Sequence, residues 1–187
     1  MFGGNRKEYL LSSRDMITDA WCRIPGPPQL LNVKRYMIVG LFLTGLYGFQ
    51  YLSGMRWAVL AEWQGDMAYK QLSGFILLAV FLYQWQLSRV RNLGIHADQR
   101  AILKNHKWIG AILPLPFFLH AMQPGYGYLY LLAASFLLCV TSGLFNVETV
   151  KIRCKACLFV WTLLHILAAV LTLLLVAYHV YVVYAYS

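Results

Sequence analysis

Long apolar runs, rather than short alternations, set the pattern of this chain. Five blocks, at about 36–53, 71–88, 107–122, 127–147 and 157–184, carry almost no charge, and the charged residues collect between them. Each block is near the roughly 20 residues that a helix needs to cross about 30 Å of hydrocarbon. Backbone groups left unpaired in lipid are too costly to tolerate, so all five blocks are expected to be helices.

The remainder of the chain fits that picture. Residues 1–33 are polar and punctuated by Pro25, Pro27 and Pro28, without the compact apolar core and cleavage site of a secretory signal. They are expected to form a cytoplasmic N-terminal arm, with residues 34–187 as one membrane domain. At 60% hydrophobic, 16% aromatic and 12% charged, with mean hydropathy +0.56, the 187 residues have too little polar surface for a soluble domain.

The net charge of +9 would suit a nucleic-acid partner if it formed one patch, but its distribution points to membrane topology, with no nucleic acid expected. Arg6, Lys7, Arg14, Arg23, Lys34 and Arg35 precede the first block. Arg89, Arg91, Arg100, Lys104 and Lys107 lie between the second and third, and Lys151, Arg153 and Lys155 between the fourth and fifth. Only Arg56 and Lys70 fall on the alternate side, so 14 of the 16 cations share one side. Cytoplasmic loops carry the excess of Lys and Arg. The N-terminus is therefore expected inside and the C-terminus outside, in a bacterial inner membrane.

Chemistry enters with four histidines. "HKWIGAILPLPFFLH" (106–120) and "HILAAVLTLLLVAYH" (165–179) each hold two, with thirteen residues between them. Fourteen helical steps return to within about 40° of the same face after a rise of roughly 21 Å. One block intervenes, so these two helices run parallel. His106 then levels with His165, and His120 with His179.

Two opposed imidazoles form an axial ligand set for haem iron, and bundle cores are established cofactor sites. Zinc fits less well, since it usually takes three or four protein ligands. Copper stays open, although no thiolate or methionine stands at an obvious spacing. Hydrogen-bonded helix histidines, or a proton relay, are the blander reading. Ionisable groups inside membranes nevertheless default to function, and the spacing occurs twice.

Matching the two levels requires the third helix to begin near Asp98, a plausible N-cap. The inner pair then lies within reach of Arg89, Arg100, Lys104, Lys107 and Arg153 as partners for haem propionates. The outer candidates are Arg56, Lys70, Gln123 and Tyr126. Gly110, one turn after His106, could admit a porphyrin edge. Pro114 and Pro116 predict a kink between the two histidines of the third helix. Gly40, Thr44 and Gly48 form a small-residue stripe suited to helix packing, while Ser142 and Gly143 are ambiguous.

Two parallel H-x13-H helices separated by one helix resemble the dihaem core of membrane b-type cytochromes, including cytochrome b of the quinol-oxidising bc complexes. The closer resemblance is to the ferric reductase-like transmembrane domain of bacterial haem reductases and NADPH oxidases, which carries its histidines on the third and fifth helices. "NHKWIG" (105–110) is similar to the basic, His-containing start of that family's third helix, and "WTLLHILA" (161–168) suits its fifth. The resemblance covers roughly residues 70 to 185. It implies two haem b groups, with His106 and His165 on the inner iron and His120 and His179 on the outer.

The family typically adds a sixth helix and often a flavin and nicotinamide domain. Here no Gly-rich dinucleotide fingerprint is present, so a donor domain of that kind is expected on a separate protein. Elsewhere, Cys154 and Cys157 form "CKAC", read as reduced cysteines at a helix start, and Cys22 and Cys139 as isolated small residues. His96 reads as a surface residue. Tyr126, Tyr128, Tyr130, Tyr181, Tyr184 and Tyr186 read as an interfacial aromatic belt.

The expected fold is an all-α membrane protein of five transmembrane helices, with helices 2–5 forming a dihaem four-helix bundle and helix 1 packed outside it. The expected role is an electron-transfer subunit of an oxidoreductase complex, working between an inner-side or quinone donor and an outer-side acceptor. Membrane lipid, other redox subunits, an outer c-type cytochrome or a separate reductase are the expected partners. A haem-free anchor or assembly subunit and a quinone-reactive cytochrome b subunit are the alternatives.

Overall fold

The computed structural model describes residues 34–92, 99–145 and 155–186. The N-terminal arm, Cys22, His96, Asp98, Arg153 and Cys154 lie outside the described residues. Within them all regular structure is helical: α1 (Arg35–Ser53), α2 (Ala58–Trp63), α3 (Met67–Tyr83), α4 (Gln86–Asn92), α5 (Gln99–Ile112), α6 (Pro114–His120), α7 (Tyr128–Leu144) and α8 (Lys155–Ala185).

Local chemistry explains the boundaries. Gly54 ends α1 at φ 65°, a left-handed position where a Cβ would be strained. Asp66 starts α3 by accepting the Tyr69 N–H at 2.8 Å, an N-cap. Pro114 and Pro116 offer no N–H to the preceding turn, and the third apolar block breaks at Leu113 into α5 and α6. The kink foreseen from the prolines is therefore a one-residue interruption. α5 is already helical at Gln99, well before the apolar block, as the level of His106 required.

The second block departs from its sequence reading. Its helix stops at Tyr83 and resumes at Gln86. Gln84, in the break, turns both its carbonyl and its side-chain amide towards His106.

α7 and α8 make the most extensive helix pair, α3 packs on α6, and α4 on α5. α1 lies against α5, α6 and α7, burying Tyr36, Met37 and Tyr47. The Tyr47 ring meets Phe117 at 5.3 Å, and Phe117 stacks on Phe136 at 4.6 Å. Aromatic pairs of this kind add about 0.5–1.5 kcal/mol beyond their buried area. At the middle of the longest helix, Thr172 is 1% exposed, with its hydroxyl against Ala168 C=O (2.8 Å) and Ser135 Oγ (3.1 Å) of α7.

Residues Ala156–Ala185 of α8, with a mean hydropathy of 2.5, are long and apolar enough to cross a membrane. The other described helices do not meet that measure individually. α3 and α7 have 17 residues each, α5 and α6 are split at Leu113, and α1 is diluted by tyrosine, glycine and glutamine. The outer surface is nonetheless rich in large apolar side chains, among them Phe42, Leu52, Phe159 and Leu174.

Candidate functional site

Two of the four spaced histidines meet ring to ring, and the other two line one cavity. At the first level, His106 of α5 faces His165 of α8, with ring centres 6.2 Å apart and ring planes at 82°. Metal–imidazole nitrogen bonds are about 2 Å long, so two imidazoles on opposite sides of one ion hold their ring centres about 6 Å apart. At the second level, His120 of α6 and His179 of α8 line one cavity of about 600 Å³. All four long helical segments of the bundle contribute to it, with Phe81 from α3, Phe117 from α6, Phe136 from α7 and Val176 from α8 in its wall. A largely apolar wall with a few convergent polar groups is the usual make-up of a cofactor site.

Each imidazole is held at Nδ1. His106 Nδ1 lies 3.3 Å from the Gln84 carbonyl, and Gln84 Nε2 returns a bond to the His106 carbonyl at 3.1 Å. His165 Nδ1 lies 3.0 Å from Ser142 Oγ, and His120 Nδ1 lies 3.0 Å from Ser73 Oγ. The Tyr128 hydroxyl sits 3.3 Å from His179 Nδ1.

Proton accounting makes these contacts informative. A carbonyl only accepts, so Nδ1 of His106 is the donor. Ser142 Oγ also lies 3.0 Å from the Cys139 carbonyl, and Ser73 Oγ 2.7 Å from the Tyr69 carbonyl. A serine whose proton goes to that carbonyl accepts from the imidazole. In a neutral ring with Nδ1 protonated, Nε2 carries the lone pair that a metal requires. Metal-ligating histidines almost always donate their second N–H in this manner. His179 differs, because the Tyr128 hydroxyl is able to donate or accept.

Two glycines stand against these rings. A Cβ on Gly143 would come 3.1 Å from His165 Cε1, and one on Gly74 would come 3.0 Å from His120 Cε1. Trp161, one turn before His165, stacks parallel to its ring at 6.0 Å and donates to the Ser142 carbonyl at 2.7 Å. The indole thus braces the ring and the serine together.

The predicted cationic partners are less closely gathered. Arg89 on α4, and Arg100 and Lys104 on α5, are exposed at the end of the bundle that holds His106. Lys107 stands over the Tyr36 ring of α1, 5.9 Å from its centre. Arg153 lies outside the described residues. A Cβ on Gly110 would meet Gln84 Nε2 at 3.3 Å, so this glycine makes room for the amide that holds His106. At the other end, Lys70 and Gln123 line the cavity, Arg56 donates to Gln123 at 3.2 Å, and Tyr126 is fully exposed.

Ser73, Gly74, Gln84 and the contact of Tyr128 with His179 were not singled out by sequence, and Ser142 with Gly143 was left ambiguous. A partial signal was the Ser-Gly dipeptide, "LSGF" at 72–75 and "TSGL" at 141–144, which also occurs as "LSGM" at 52–55, where it ends α1. Among the described residues no set of three or more His, Cys, Asp or Glu gathers as a metal site. Comparison with family models, curated proteins and solved structures finds no match for the chain.

Proposed function

We propose that the chain is a b-type dihaem membrane cytochrome, an electron-transfer subunit of an oxidoreductase complex. The observation that carries this reading is the meeting of His106 and His165 across the bundle at 6.2 Å, with each nitrogen Nδ1 occupied. The residues fit the group: two levels, two imidazoles at each, and an apolar cavity of about 600 Å³ at one of them. A bound haem supplies one-electron exchange between ferric and ferrous iron.

The chain's part is to ligate, space and bury. His106 and His165 would hold the inner group, and His120 and His179 the outer. α8 alone carries one ligand of each, about 21 Å apart along its axis. Arg89, Arg100 and Lys104 are exposed at the inner end, where they suit propionates or an acidic partner, while Lys107 stands over Tyr36. The outer cavity is reached by Lys70 and Gln123.

In this reading the membrane is crossed five times, by α1, by α3 with α4, by α5 with α6, by α7 and by α8. Support comes from the charge distribution, in which 14 of 16 cations fall on alternate connections, and from the apolar exterior. Electrons pass between an inner-side or quinone donor and an outer-side acceptor, with other redox subunits as partners.

The test is an absorption spectrum of the full chain purified in detergent, with haem counted per chain. Two haems and dithionite-reducible b-type bands are expected. His165→Ala should cost the inner group, and His179→Ala the outer. A wild-type protein without such bands is a haem-free anchor instead.

A further inference from the structure

We propose that Ser73–Gly74 and Ser142–Gly143 are one positioning device used twice, once for each haem, and that the two serine hydroxyls set the redox balance of the two irons separately. The inference rests on the haem reading above and adds residues to it.

The two copies share three features. In each, the serine Oγ lies 3.0 Å from an imidazole Nδ1 on another helix: Ser73 of α3 with His120 of α6, and Ser142 of α7 with His165 of α8. In each, the serine proton is engaged by a carbonyl of its own helix, Tyr69 or Cys139. In each, the following glycine lies against Cε1 of the same ring, where a Cβ would stand 3.0 or 3.1 Å away. The serine fixes which nitrogen is protonated, and the glycine lets the ring approach closely enough to be fixed.

The copies serve different levels. Ser73–Gly74 lies near the middle of α3 and holds a second-level ring, whereas Ser142–Gly143 lies near the end of α7 and holds a first-level ring. The other ring of each pair is held by different groups, the Gln84 carbonyl for His106 and the Tyr128 hydroxyl for His179. Each iron therefore has one serine-held ligand and one ligand held otherwise.

An imidazole that donates from Nδ1 is a more basic ligand at Nε2. A more electron-rich ligand favours the ferric state. Removing the acceptor should favour the ferrous state and raise that haem's midpoint potential. Neither serine is a ligand, so each change should be confined to one level.

The experiment is an optical redox titration of the full chain in detergent, resolving the two haems, for wild type, Ser142→Ala, Ser73→Ala and the hydroxyl-retaining Ser142→Thr and Ser73→Thr. The expected result is an upward shift of one midpoint in each alanine variant, in the inner haem for Ser142 and in the outer for Ser73. The other haem should stay put, and threonine should restore wild-type behaviour. Ser142→Cys and Ser73→Cys, near-isosteric with weaker acceptors, should show the same direction with smaller size if an alanine variant does not accumulate.

Two haems at wild-type potentials in the alanine and cysteine variants would overturn the device and leave the cytochrome reading intact. Equal shifts of both haems in either variant would overturn it as well. A wild-type chain with no haem defeats the underlying reading instead, so the two failures are told apart by the first spectrum.

Discussion

A single Cβ is the smallest change that interrogates the site. Gly143 and Gly74 sit where an added methyl would press on an imidazole carbon at 3.1 and 3.0 Å. Neither ring can retreat freely, since His165 is stacked on Trp161 and His120 is tied to Ser73. Overpacking of this kind typically costs about 1–3 kcal/mol. Gly143→Ala should therefore lower resistance to denaturation in detergent by that order and, on the proposed haem reading, alter the inner haem's spectrum. Gly74→Ala should do the same for the outer, as thermal denaturation followed optically would record. Unchanged melting in both would mean that the rings give way without cost. At this scale the sequence was half legible. Fourteen helical steps placed each histidine pair on one stripe from helix geometry alone. The serine and glycine neighbours come from other helices, and no local period reports a contact between residues 142 and 165. Tyr128 shows the same limit: its position suited an interfacial belt, and only packing brings its hydroxyl to His179.

Helices show where small residues matter and where they are incidental. Gly40 and Gly48 belong to one small-residue stripe of α1, yet only Gly40 is in close contact. Its added Cβ would run into the side chain of Leu144, which is 2% exposed and boxed in by the core, whereas Gly48 faces open space. Gly40→Ala should destabilise by about 1–3 kcal/mol. Gly48→Ala should be neutral or gain up to about 1 kcal/mol from helix propensity. Graded denaturation of the two variants side by side gives the comparison, and equal effects would show that α1 does not dock through Gly40. Because α1 packs outside the helices that carry histidine, both variants should keep wild-type haem spectra. The order of the long helices and the break near the prolines were readable from apolar blocks and missing N–H groups. The break at Gln84 was not, because glutamine has an ordinary helix propensity. What stops α3 there is a long-range exchange of hydrogen bonds with His106, which no window of neighbouring residues contains.

For the molecule as a whole, the question is how many times this chain crosses a membrane. Among the described helices only α8 is by itself long and apolar enough, and α3 and α7, at 17 residues, span about 26 Å each. Short helices can still cross where the bilayer thins or flanking residues snorkel, at fractions of a kcal/mol per Å. Charge then decides the direction. Five crossings put residues 54–66 and the C-terminus on the side with two cations, and residue 101, in the first turn of α5, on the side with fourteen. The expectation is tested with exposed positions that carry no charge: Trp63→Cys, Ala101→Cys and Tyr186→Cys, each made after Cys22, Cys139, Cys154 and Cys157 are replaced by serine. A membrane-impermeant maleimide added to intact cells should label positions 63 and 186, and position 101 only after lysis. Equal labelling of 63 and 101 would remove the crossing by α3, and opposite labelling of 63 and 186 would leave an odd number of crossings between them. Equal labelling of 101 and 186 would undo the parallel run of α5–α6 and α8 through a bilayer, and with it the assignment of one haem to each leaflet.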